Sequence, residues 1–312
     1  MLGDFVYINM SEKVVMTTVS DDRHGRKSGM YGYTQRKIRT ILERNDQFGI
    51  DNLYFYTFDD IKGSEFYRVN EVMLRHMDPA INGRCYKPYV IQCALNGVND
   101  GDYVIYNDVS PEWWEVGEDF VIGDNYQLDV LKNLCITNGD ILSCKVSWMG
   151  FDGVFANHTH EYFTTERCMR YMGMERYRYC LQHASGMMVF RKSERSINYV
   201  SRWLRYNVID QCASLSDVVT GEDFWGEEVN VNEKIGHRHD QSISGLLAND
   251  MGLRLLDIPD YWSPYPTKTY NFLSFCRTDM KYSFIDSVVD VQSFRYRNVR
   301  VGGEYKIIRC IR

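Results

Sequence analysis

Short apolar runs alternate along this chain with longer stretches of helical spacing. Residues 14–19 (Val-Val-Met-Thr-Thr-Val) carry no charge, the composition of a strand covered on both faces. A polar, basic, Gly-containing loop over 20–32 follows, and then a helix is predicted over 34–43. Gly49 separates that helix from a second strand at 53–57. Helical spacing returns over 86–98, and a short strand at 103–106 stops at Asn107-Asp108. Further on, 187–190 is a strand, and Ser193 is placed to cap a helix on which Ile197, Val200, Leu204 and Val208 recur. Asp240 begins another helix with Ile243, Leu246 and Leu247 inward and Gly252 past its end, before an apolar segment at 253–258. The last fifty residues are the least readable part of the pattern.

This alternation predicts an α/β fold with a mostly parallel, Rossmann-type central sheet flanked by helices. No repeat, low-complexity tract or Pro/Gly/Ser linker interrupts the 312 residues, so one domain over 1–312 is expected, with halves at about 1–112 and 113–312.

Composition narrows the function classes. The net charge of −6, from 42 acidic and 36 basic side chains, argues against a phosphate-backbone binder, so no nucleic-acid partner is expected. Nine Cys without a CxxC pair point to reduced, mostly buried thiols and a cytoplasmic setting. No charged-then-apolar leader and no apolar run of membrane length are seen, so no membrane span is expected. The aromatic share of 14% points first to an aromatic-rich core, and it also suits stacking on sugars and bases.

Three segments carry candidate chemistry. Gly101 to Pro111 ends a strand at Asp108-Val109-Ser110, where ligands of open α/β sheets bind, and an Asp there can hold a divalent cation against a diphosphate. His183-Ala184-Ser185-Gly186 is a small-residue turn opening a buried strand, which lets backbone approach a ligand closely. His237-Arg238-His239-Asp240-Gln241 crowds polar groups at a helix N-terminus, whose free N–H groups suit anionic or hydroxyl-rich ligands.

In this order the three segments resemble the GT-A glycosyltransferases. They are most similar to the retaining families that include bacterial lipooligosaccharide galactosyltransferases, glycogenins and blood-group transferases. The resemblance spans roughly 13–256 and implies transfer of a sugar from a nucleotide-diphosphate sugar to a glycan, protein or lipid-linked acceptor. It places Asp108 at the metal and diphosphate, with Ser110 standing where a second carboxylate is usual, and Gly186 with Ser185 at the close approach. Asp240 and Gln241 take the catalytic, sugar-side positions, with His239 beside them. Lys87, in Tyr86-Lys87-Pro88-Tyr89 opening the helix before the Asp strand, is expected to meet phosphate or buttress the site. Arg26, with Arg23 and Lys27, is expected to support the departing diphosphate from the first loop. The implied cofactor is a divalent cation, Mn²⁺ or Mg²⁺, although no His follows His239 to serve as the further metal ligand such enzymes often use.

Two other readings start from other residues. With Ser110 in place of a carboxylate, a carbohydrate-binding protein that keeps the fold without catalysis is one. The pairs His158-Thr159-His160 and His237-Arg238-His239 suggest a zinc hydrolase as the other.

Overall fold

The computed structural model describes residues 12–22, 30–76, 79–109, 128–145, 159–213, 237, 239–257, 283–285, 296–301 and 304–309. Arg23, Arg26, Lys27, Ser110, His158 and Arg238, for which the sequence carries expectations, therefore lie outside the described residues.

The chain opens with strand β1 (Val14–Ser20), helix α1 (Met30–Glu43) and strand β2 (Asn52–Thr57). Helices α2 (Phe58–Lys62), α3 (Glu65–His76) and α4 (Pro79–Asn96) lead to β3 (Tyr103–Asn107). Then come α5 (Leu128–Thr137), β4 (Ile141–Lys145), the short α6 (His160–Phe163) and α7 (Glu166–Met172), and the long strand β5 (His183–Arg191). Helices α8 (Glu194–Asn207), α9 (Asp210–Ala213) and α10 (Asp240–Asp250) precede β6 (Leu255–Asp257), β7 (Ser283–Ile285), β8 (Tyr296–Val301) and β9 (Glu304–Arg309).

Seven strands form one sheet in the order β2-β1-β3-β5-β4-β6-β7, and β8 and β9 pair as a separate antiparallel ribbon. β2, β1 and β3 are parallel neighbours, whereas β5 runs against both β3 and β4. β6 runs with β4 and β7 against β6, so five strands share one direction and β5 and β7 oppose it. The mostly parallel α/β sheet expected from the alternation is thus present, with two reversed strands that the alternation did not announce.

Period-two alternation sorts the strands between two cores. Val15, Val104, Tyr106 and Phe190 face α4, α8 and α10, packing on Tyr86, Val90, Trp203 and Leu246. Val14, Met16, Tyr103 and Ile105 face α1 and α5, packing on Ile38, Leu42, Phe48 and Leu131. A sheet buried on both faces explains why its strands read as continuous apolar runs.

Two local expectations shift. Ser193 does cap α8, through a capping box in which its hydroxyl accepts the N–H of Ser196. The buried face of α8 is Ser196, Tyr199, Val200, Trp203 and Asn207, while Ile197 and Leu204 are only half-buried, so the helix is turned by about one residue from the purely aliphatic stripe. The large rings of Tyr199 and Trp203 remove more apolar surface and set the rotation. Pro88 does not open its helix: α4 begins nine residues earlier and keeps Pro88 inside, without an N–H for the carbonyl of residue 84.

Candidate active site

β3 ends at Asn107, and the next residue continues its pairing by one step: the Asp108 N–H donates to the Gly186 carbonyl at 2.7 Å. Gly186 and Ser185 lie where the β4–β5 register breaks, a two-residue step from Ser143 to Lys145 facing a five-residue step from Met188 to His183. That bulge releases β5 from β4 while its register with β3 stays intact, so Ser185 is turned toward the helices. Gly186 is not among the positive-φ glycines, so its place does not rest on left-handed backbone.

From the helical side, α8 fixes the start of α10. The Trp203 indole N–H donates to the Asp240 carbonyl at 3.0 Å, and the Tyr199 hydroxyl donates to the Ser244 carbonyl at 2.9 Å. Asp240 is the first residue of α10, where the helix dipole favours its negative charge. His239 before it has φ 50° and ψ −116°, a conformation that glycine prefers and that costs a side-chain-bearing residue about 1–3 kcal/mol.

Lys87 joins these elements. Its ammonium lies 3.1 Å from Asp108 Oδ1, 2.8 Å from Asp240 Oδ2, and 3.1 Å from both the carbonyl and the hydroxyl oxygen of Ser185. The Ser185 hydroxyl donates to Asp240 Oδ2 at 2.9 Å, and the Tyr106 hydroxyl donates to Asp108 Oδ1 at 2.6 Å. The Lys87 and Asp240 side chains are 6% and 3% exposed, but Asp108 is 18% exposed, so the cluster opens to solvent through Asp108.

Two carboxylates and one ammonium leave the cluster one negative charge. Burial alone would lower the Lys87 pKa; Asp108 first and Asp240 second outweigh it and hold the ammonium above its ordinary value. Burial pushes the Asp108 carboxyl up and Asp240 adds to the rise, against the pull of Lys87. Burial, with Asp108 beside it, raises the Tyr106 phenol well above its usual value, so it stays a donor.

Of the residues expected at the site, Lys87, Asp108, Ser185, Gly186 and Asp240 converge. Gln241 is half-buried on the next step of α10, where its side-chain amide donates to Gln182 Oε1 at 3.0 Å, outside the Lys87 contacts. The His239 ring is buried against the Ala213 carbonyl at 3.0 Å. Ser110 and Arg26 lie outside the described residues. Sequence reasoning passed over Tyr106 and Trp203; the alternation that turns Tyr106 to the same sheet face as Val104 was the available signal.

The described side chains do not by themselves fit a resident divalent cation. Such an ion takes six or more oxygens, whereas Asp108 Oδ1 already accepts from Tyr106 and Lys87, and Lys87 also meets Asp108 Oδ2 and Asp240 Oδ2. Among the described residues, no three His, Cys, Asp or Glu side chains are grouped to hold a metal. Two described histidines of the His-x-His pairs are spent on hydrogen bonds. His160 meets Thr164 and Asn249 through its two ring nitrogens, and His237 meets the Thr165 N–H and the Cys212 carbonyl. That leaves neither ring a nitrogen for zinc. Seven of the nine cysteines are described, all free and all but Cys93 buried. No described helix is long and apolar enough to cross a membrane.

No protein-family model and no curated protein matches the chain. Among solved structures, the apo form of the WbbM bifunctional glycosyltransferase is similar at 14% identity and a TM-score of 0.30, over 65% of this chain and 37% of that one. A likeness this thin says nothing of substrate or mechanism here.

Proposed function

We propose that this chain is a cytoplasmic glycosyltransferase that moves a hexosyl or pentosyl group from a nucleotide-diphosphate sugar to a hydroxyl of a glycan, protein or lipid-linked acceptor, with retention of configuration. The observation that carries this reading is the meeting of Asp108, Ser185 and Asp240 around Lys87 at the end of β3. The chain passes from β1 to β2 on one side and returns to β3 on the other, so the carboxyl ends of β1 and β3 flank a topological switch point. Ligands of open α/β sheets bind in the crevice at such a point.

The residues divide the work as follows. Lys87 and Ser185 both meet Oδ2 of Asp240, which leaves Oδ1 to orient a hydroxyl of the donor sugar. Gln241, next along α10, adds a neutral amide and can be neither nucleophile nor base. Gly186 and Ser185 let the β5 backbone approach the donor, and Asp108 is the acidic group nearest solvent. Support for the departing diphosphate falls to the basic loop after β1, with Arg26. With the carboxylates of Asp108 and Asp240 both tied to Lys87, departure and attack on one face of the sugar is the reading, and it retains the anomeric configuration. A non-catalytic sugar-binding protein is the second reading, favoured by the hold of Lys87 on both carboxylates.

A thermal-shift series of nucleotide-sugars, with and without Mn²⁺, tests this. A donor at a hundredfold excess over its Kd adds about 2.7 kcal/mol of stability, and one donor should raise Tm clearly above the rest. Product NMR should then show a retained anomeric centre. A protein that no nucleotide-sugar stabilises, with either metal condition, is not this enzyme; one that binds a donor but never turns it over fits the second reading.

A further inference from the structure

We infer that Lys87 is the resident cation of this site, occupying between Asp108 and Asp240 the place a divalent ion would otherwise take. Lysine has three N–H donors, and three elements claim them: Asp108 at the end of β3, Ser185 in the β5 bulge, and Asp240 at the start of α10. A side chain only 6% exposed and held from three directions suits the second of the two roles expected from the sequence, buttressing the site, rather than contact with phosphate.

The charge arrangement gives this bridge its purpose. Carboxylates that meet one nitrogen, at 3.1 and 2.8 Å, lie within about 6 Å of each other, a separation at which like charges shielded from water repel strongly. The other described side chains bonded to the two carboxylates are neutral. Tyr106 and Ser185 bring hydroxyls, and the Trp203 N–H is spent on the Asp240 carbonyl. His183, two residues before Ser185, is turned to Ser143 at 2.6 Å, and His239 to the Ala213 carbonyl. Lys87 is thus the one cation among the described residues that touches both carboxylates. It is a positioning residue: it sets where Asp108 and Asp240 stand and neutralises one of their two charges. One consequence, resting on the sugar-transfer reading above, is that donor binding persists in chelator.

The test needs neither donor nor turnover. Chelator-treated protein and its Lys87→Ala variant are titrated with Mn²⁺, followed by electron paramagnetic resonance of the free ion and by Tm. Wild-type protein should bind no Mn²⁺ below millimolar concentration. Lys87→Ala, left with two facing carboxylates and the space of the lost side chain, should melt lower and gain one Mn²⁺ site at least tenfold tighter. Mn²⁺ should then restore part of its Tm, a recovery that a merely space-filling lysine would not show. Adding Asp240→Asn to Lys87→Ala should abolish the gained site. Stoichiometric Mn²⁺ binding by the wild type that Asp108→Ala removes would overturn the inference. A Lys87→Ala protein that gains no Mn²⁺ site would do so as well. Should that variant fail to fold, the wild-type titration and Lys87→Gln still decide it. If instead these results hold and no nucleotide-sugar binds, the sugar-transfer reading fails and the bridge stands.

Discussion

Two buried polar networks share β5 and α10, and they handle burial in opposite ways. The Lys87 cluster keeps three formal charges and opens through Asp108. The other network holds His160, His183, Gln182, Ser242 and Asn249 away from water with no charge at all. Burial pulls the pKa of both His160 and His183 down to about 3, so each ring is neutral at neutral pH. His183 Nε2 even lacks a hydrogen-bond partner among the described residues. Charge is kept where it is paired and reaches solvent, and it is given up where it is sealed, because an unpaired buried charge costs far more than a neutral polar group.

The largest expected effect falls on the charged side. Asp108→Ala removes the one carboxylate of the pair that reaches solvent, and donor turnover should fall by about 10²–10³-fold, the scale of losing a group that meets developing charge. Circular dichroism should report an unchanged fold. Activity that survives the change would remove Asp108 from the chemistry.

Acid should separate the networks next. A histidine with folded pKa about 3 and unfolded pKa 6.5 binds protons more readily when unfolded, so its contribution is fully present above pH 6.5 and declines as pH falls toward 3. The slope is about 1.4 kcal/mol per pH unit for each ring. Denaturant midpoints from pH 7 to 4.5 should drop steadily, and His183→Gln should flatten that dependence. A midpoint unchanged over this range would mean that the rings are charged or accessible in the folded protein.

Ser185→Ala tests the link that the charged cluster makes to β5. Its hydroxyl donates to Asp240 and accepts from Lys87, and hydrogen bonds to charged groups contribute about 1.5–3 kcal/mol. That loss should appear in urea unfolding, with the acid dependence of the histidine network unchanged. An equal change in both would show that the networks are one.

The smallest effect is expected at Gly245, on the face of α10 that meets the histidines. A Cβ there would stand 3.0 Å from His160 Cε1 and 3.3 Å from the His183 backbone nitrogen. Alanine gains about 1 kcal/mol of helix propensity, whereas forcing a methyl into a packed core costs about 1–3 kcal/mol. Gly245→Ala should therefore lose roughly 1 kcal/mol in a melt, from overpacking set against propensity, and leave donor affinity alone. A stabilised variant would show that the His160 ring has room to move.

The two networks were not equally legible. Asp108 and Asp240 stood out because each sits at a local boundary, a strand end and a helix start, marked by nearby residues alone. His160, His237 and His239 were visible as members of pairs that could suit zinc, yet Asn249, Thr165, Cys212 and Ala213, all distant in the chain, take a ring nitrogen of one or another of them. Lys87 was visible only through the resemblance of its segment to one seen in such enzymes, and the helix expected from residue 86 begins at Pro79, with Tyr86, Val90 and Ile91 packed in the core on either side of Pro88.

Local sequence determined the elements around β1 and β3, the mostly parallel α/β class, the Ser193 cap and the points where acidic residues leave a strand or begin a helix. Each of these depends on periodicity and on neighbours a few residues apart. Only the tertiary structure decided that β5 runs antiparallel between β3 and β4, that its bulge turns Ser185 toward α4 and α10, and that one ammonium serves two carboxylates. Those outcomes rest on long-range pairing and on how much charge a buried site tolerates, and neither quantity is carried by any single stretch of chain.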